Sequence, residues 1–117
     1  MNQEKIKLNK KKAVFLDRDG VINKDLGYVC SIEKFIWIEG ALDSIEYLKK
    51  NDFLVIVISN QSGVSRGFFA EEEVKEFHKW INSQLFLKKK VTIDDFFFLY
   101  RFAGNALFKE ETKPRYD

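Results

Sequence analysis

The sequence predicts an α/β sandwich of three layers built on a parallel sheet, and three observations predict it. Apolar runs at 14–16, 53–58 and 96–100 have the length and composition of strands. Two segments of helical periodicity separate them. The first run ends in two acids, Asp17 and Asp19, rather than in ordinary turn residues. Strands alternating with helices imply right-handed crossovers, and open α/β sheets carry ligand chemistry at the carboxyl ends of their strands.

The elements follow in order. Residues 1–12 read as a disordered, basic leader with Lys5, Lys7, Lys10, Lys11 and Lys12, and residues 13–117 as one domain. Ala13–Leu16 is the first strand. Val21–Glu39 shows no period and suits a small hairpin or flap beside the acids; within it Phe35–Ile38 fits either a short strand or a loop packed on the sheet. Ala41–Lys50 is a helix with Ala41, Leu42, Ile45 and Leu48 on one face. Asp43 lies early and Lys49 and Lys50 late, as the helix dipole favours. Phe53–Ile58 is continuous and β-branched, the mark of a parallel strand covered on both faces. Glu71–Leu87 is the clearest helix, with Val74, Phe77, Ile81 and Leu85 at helical spacing and three glutamates in its first turn. Phe96–Tyr100 is the third strand, and Arg101–Glu111 reads as a loop.

Composition narrows the function. The chain has 117 residues, 45% of them hydrophobic, enough for one small core. A net charge of +2 argues for no strongly charged partner. No apolar run approaches the ~20 residues that span a bilayer, and the basic start leads into a strand rather than a signal peptide. The single cysteine, Cys30, excludes an intrachain disulfide and reads as a half-buried loop thiol. The expectation is a cytoplasmic monomer that engages neither nucleic acid nor membrane. His78 falls beside the apolar stripe of the second helix, which assigns it a packing or surface role.

The chemistry gathers at strand ends. Two carboxylates separated by one residue can share a divalent cation, and one of them can attack phosphorus. A calcium loop is excluded, because the sixth position counted from Asp17 should be glycine and is Ile22. The second strand ends in a polar loop, Ser59-Asn60-Gln61-Ser62-Gly63.

The string VFLDRDGVIN at Val14–Asn23 resembles the first motif, Asp-x-Asp-Gly, of the haloacid dehalogenase superfamily in its phosphatase branch. With DLGYV at Asp25–Val29 and SNQSGVSRG at Ser59–Gly67, it is similar to the D,D-heptose 1,7-bisphosphate phosphatases and the related histidinol-phosphatases. The resemblance implies a Rossmann-like fold without a large cap domain. It implies a magnesium-dependent phosphatase that converts D-glycero-D-manno-heptose 1,7-bisphosphate to the 1-phosphate through an aspartyl-phosphate. Asp17 would be the nucleophile and Asp19 the general acid and base. Both would hold Mg2+ as metal ligands. Ser59 and Lys113 would stabilise the phosphoryl group. Asp25, Leu26, Gly27, Tyr28, Ser59, Asn60, Gln61, Ser62, Thr112 and Lys113 would bind substrate.

The sequence also departs from the pattern. Thr112 stands where the family's Cys-Arg-Lys-Pro string has arginine. The zinc loop of many relatives has no counterpart in 100–111, which lacks Cys and His, so no zinc is expected. A fourth motif, a Gly-Asp-rich strand end with further magnesium ligands, does not follow Pro114. The expectation is therefore a front part of the fold with its C-terminal strands missing, weak magnesium binding and little turnover. The alternatives are a histidinol-phosphate phosphatase, a non-catalytic remnant that binds sugar phosphates, and a receiver-type phosphoacceptor domain.

Overall fold

The computed structural model describes residues 11–27, 29–60, 70–102 and 105–110, the last stretch from 98 onward as backbone. The elements are β1 (Ala13–Asp17), α1 (Ala41–Lys50), β2 (Leu54–Asn60), α2 (Glu71–Lys89), β3 (Asp95–Phe102) and β4 (Asn105–Glu110), with a 3-10 turn at Ile32–Lys34. They form one sheet in the order β1-β2-β3-β4. β1 pairs in parallel with β2, Leu16 beside Val57 and Asp17 beside Ile58. β2 pairs in parallel with β3. The order separates this fold from the receiver alternative, in which the first strand lies between the second and third.

The helices form where the pattern placed them, and their ends have local causes. α1 stops at Asn51 and Asp52, the latter at φ 64°, a left-handed turn that aspartate tolerates. Glu73 accepts a hydrogen bond from the Ala70 N–H at 3.2 Å and so closes one orphan donor at the start of α2. Lys90, at φ 61°, ends that helix. Ile45 of α1 and Phe77, Ile81 and Leu85 of α2 meet Val55, Val57 and Phe96 of the sheet in one core. Asp94 ties sheet to helix: its Oδ2 accepts from Val55 N at 2.8 Å and from Lys49 Nζ at 2.6 Å.

Two expectations change, and one open alternative is decided. The loop expected over 101–111 is largely strand: β3 continues to Phe102, and β4 returns antiparallel with Leu99 beside Phe108. The sheet is therefore mixed. The sequence carried the signal, two runs separated by the dipeptide Ala103-Gly104, which is hairpin spacing. Second, β2 alternates: Val55, Val57 and Ser59 are buried, whereas Leu54, Ile56 and Ile58 are half-buried. Among the described residues both helices pack on one face, and the second helical layer of the sandwich does not lie among them. Phe15 on β1 is 61% exposed accordingly. Third, Phe35–Ile38 is a packed loop, in which Trp37 forms a single bridge to Asn23.

That loop completes the flap. Lys24 N donates to Ile36 O at 2.9 Å and Ile38 N to Ile22 O at 2.9 Å, so the two ends of the flap are joined. Phe35 then meets Trp37, Trp80 and Phe77 edge-on, with ring centres 4.8, 5.4 and 5.8 Å away. The aromatic cluster pins the flap to α2. Among the described residues no helix is long and apolar enough to cross a membrane.

Candidate active site

β1 delivers the acids. Asp17 is its last residue and is exposed at the carboxyl edge of the sheet. Arg18 N still donates to Ile58 O at 3.0 Å, so the chain turns only after the ladder has ended. The turn is tight: Ile22 N and Asn23 N both donate to Arg18 O, at 2.8 and 3.2 Å. Gly20 sits within it at φ 90°, a conformation that side-chain-bearing residues adopt at a cost, and its N–H reaches Asn23 O at 2.8 Å.

Asp17, Arg18, Asp19, Asp25, Gly27, Ile58 and Asn60 line one cleft of about 450 Å³. The flap contributes Asp25, whose Oδ1 accepts from Gly27 N at 3.2 Å. Gly27, at φ 80°, gives the turn that presents both residues to the cleft. Leu26 between them is 55% exposed. Ser59 is fully buried, and its neighbours Ile58 and Asn60 form the wall in its place. Tyr28, Gln61, Ser62, Thr112 and Lys113 lie outside the described residues.

Asp19 is held firmly. Its Oδ1 accepts from Asn23 Nδ2 at 2.9 Å and from the Arg18 guanidinium at 3.2 Å. Asn23 is itself fully buried and also donates to Lys24 O at 2.9 Å. Both bonds use its NH2, which fixes the orientation of the amide.

Arg18 stands between the two acids. It is 1% exposed and lies under the cleft. One terminal nitrogen meets His78 Nε2 at 2.9 Å; the other donates to the Val29 carbonyl and to Asp19. The guanidinium carbon stands 5.2 Å from the centre of the Phe77 ring. His78 is likewise 1% exposed and stacks on Phe96 with ring centres 4.3 Å apart. The expected packing role is thus part of its position, but its ring also bonds an arginine at the cleft.

An arginine donates and never accepts, so Nε2 of His78 carries a lone pair and the ring is neutral. The electrostatics agree. Burial first, and the Arg18 charge second, push the His78 pKa well below its ordinary 6.5, with Asp19 opposing. The unfolded chain therefore takes up a proton near pH 6.5 that the folded chain refuses. Stability is full above that value and falls as the pH drops through it, by at most about 1.4 kcal/mol per pH unit. Melting temperatures measured from pH 7.5 down to pH 5.5 are expected to decline, and to decline less in His78→Gln.

A magnesium ion commonly takes one or two protein carboxylates and fills its remaining positions with water and substrate phosphate. Asp17 and Asp19, opening to one cleft, suit that donor set. Among the described residues no group of three or more His, Cys, Asp or Glu that could hold a metal ion is present.

Comparison with known proteins follows the same line. No family model matches the chain. It is 36% identical over 105 residues to the D-glycero-beta-D-manno-heptose-1,7-bisphosphate 7-phosphatase of Haemophilus influenzae, an alignment covering 89% of this chain and 56% of that one. The enzyme of the same name from Escherichia coli K12 is 45% identical over 73 residues, 62% of this chain and 38% of the relative. The chain spans about half the length, or less, of these curated relatives. Among solved structures, the D,D-heptose 1,7-bisphosphate phosphatase of B. bronchiseptica, complexed with magnesium and phosphate, superposes with a TM-score of 0.68 at 33% identity. That match covers 74% of this chain and 49% of the other. A HAD-like phosphatase structure from Mesorhizobium loti gives 0.71 at 26% identity over 80% of this chain and 44% of its own.

Proposed function

Because the chain is homologous to heptose-1,7-bisphosphate 7-phosphatases and has a haloacid dehalogenase-like fold, we propose that it belongs to a magnesium-dependent phosphatase acting on a sugar phosphate, the 7-phosphate of D-glycero-D-manno-heptose 1,7-bisphosphate. The observation that carries this reading is the shared cleft of Asp17 and Asp19, with Asp19 bonded to Asn23 and Arg18 and Asp17 open to solvent. The activity named for the relatives favours the heptose over histidinol phosphate.

Asp17 attacks phosphorus, and the bond from phosphorus to the sugar oxygen breaks. Asp19 gives its proton to the departing alkoxide. Water then attacks the aspartyl-phosphate; the bond to Asp17 breaks and phosphate leaves. Asp19, now ionised, takes a proton from that water and is restored for the next cycle. By resemblance Ser59 and Lys113 are assigned to phosphoryl stabilisation, which for Ser59 requires its covered side chain to be uncovered. Asp25, Leu26, Gly27, Tyr28, Asn60, Gln61, Ser62 and Thr112 are assigned likewise to substrate binding, Asn60, Asp25 and Gly27 lining the cleft. Magnesium, which Asp17 and Asp19 would hold, would supply positive charge that offsets the repulsion between the Asp17 carboxylate and an anionic ester.

The test is phosphate release from the heptose bisphosphate and from histidinol phosphate, with magnesium present and after its removal by EDTA. Slow, magnesium-dependent release that favours the heptose is expected. Release unaffected by EDTA would contradict the metal assignment. Binding of either phosphate without any release would favour the non-catalytic remnant.

A further inference from the structure

The phosphatase reading assigns chemistry to Asp17 and Asp19 but none to the buried pair beneath them. We propose that His78 is a positioning residue that acts through Arg18 to aim the carboxylate of Asp19. The proposal rests on the phosphatase reading above.

The contacts form one line from core to cleft. Phe96 of β3 stacks on His78 within 10° of parallel, which fixes the plane of the imidazole. His78 Nε2 accepts from one terminal nitrogen of Arg18 at 2.9 Å. The guanidinium is planar and rigid, so fixing one arm fixes the other. That second arm lies 3.2 Å from Asp19 Oδ1 and 3.4 Å from Oδ2. It is also anchored on the Val29 carbonyl. Asn23 adds a second donor to Oδ1 at 2.9 Å. Oδ1 is therefore committed to two donors, and Oδ2 is the oxygen better placed to carry the proton for a leaving group.

An aliphatic side chain at position 78 would fill the same space in the core. It would not accept from the guanidinium, which would then be held at one arm only, by Val29 and Asp19, and could pivot about that arm. General acid catalysis depends on that geometry, and a displacement near 1 Å can cost about a hundredfold.

The experiment separates positioning from packing by the leaving group. An alkyl phosphomonoester needs its alkoxide protonated, whereas p-nitrophenyl phosphate departs as a stable phenolate without help. The value of kcat/KM reads the chemistry up to formation of the aspartyl-phosphate. His78→Phe keeps the stack on Phe96 and loses the acceptor. It is expected to lower kcat/KM for a heptose phosphate by roughly 10–100-fold and for p-nitrophenyl phosphate by less than about threefold. His78→Gln, which restores an acceptor, should recover most of the loss. If His78→Phe does not fold, Arg18→Lys serves instead: a single ammonium cannot hold His78, Val29 and Asp19 together, and the same selective loss is expected. Equal losses on both esters in a folded variant, or no loss on either, would overturn the proposal. Wild-type chain that turns over neither ester would refute the phosphatase reading itself, and this proposal with it.

Discussion

Asp17→Asn is expected to lower phosphate release at least about a thousandfold, because an amide oxygen is too weak a nucleophile to open a phosphoryl transfer. The substitution is nearly isosteric, and Asp17 is exposed at the end of β1. The melting temperature should therefore stay close to that of the unaltered chain. Asp19→Asn should behave differently. The amide can neither protonate the leaving alkoxide nor accept a proton from water, yet Asp17 remains able to attack. An activated ester should then phosphorylate the variant and leave it phosphorylated longer than the unaltered chain. The pair is read by phosphate release together with phosphoenzyme lifetime after rapid mixing. Equal retention of turnover in Asp17→Asn would remove the basis of the whole assignment.

Arg18→Met should produce the largest change in stability. The substitution removes a guanidinium that is 1% exposed and leaves His78 Nε2 and the Val29 carbonyl without their donor. A buried polar group left unpaired costs about 1–3 kcal/mol, so a loss of about 2–6 kcal/mol is expected for the two. For a domain of this size each kcal/mol moves the melting temperature by about 4–8 °C. Replacing both partners should cost less than the sum of the single changes. In Arg18→Met with His78→Phe no imidazole nitrogen is stranded, and the Phe77 and Phe96 rings can pack on apolar neighbours. A double-mutant cycle by chemical denaturation should show favourable coupling of about 1–2 kcal/mol. Strict additivity would mean that the 2.9 Å contact contributes little.

Much of this site was legible in the chain, and the exceptions share a cause. Asp17 and Asp19 could be read because acids after an apolar run have few structural uses. Asn60 could be read because it stands at the polar end of an apolar run, and it is the last residue of β2, the strand beside β1. Arg18 could not, since residue order does not say which face of a strand end a side chain takes. The two acids open to the cleft, and the residue between them turns under it toward the helix. Ser59 falls on that same covered face, which a polar loop read as a unit conceals. His78 lay nearer to view: Val74, His78, Ile81 and Leu85 keep helical spacing, and all four are buried. A histidine in that row is a buried polar group in search of a partner, but its partner is distant in sequence.

The sheet teaches the same lesson at larger scale. The runs at 14–16, 53–58 and 96–100 gave the parallel strands and their order of connection. The continuous apolar character of 53–58 suggested cover on both sides, yet Ile56 and Ile58 are half-buried among the described residues. Hydrophobic pattern reports what a strand can bury, not what lies over it. The antiparallel return of β4 was masked by charge, because Lys109 and Glu110 broke the alternation that a strand search favours.

The central claim is that Asp17 becomes covalently phosphorylated. The most direct measurement is to mix the chain with magnesium and a phosphate ester, quench in acid, reduce the acyl-phosphate with borohydride and identify the altered residue by peptide mass. Conversion of Asp17, absent in Asp17→Asn and enhanced in Asp19→Asn, is the expected result. Phosphate release with Asp17 unmodified in every sample, or modification at another residue, would contradict the account.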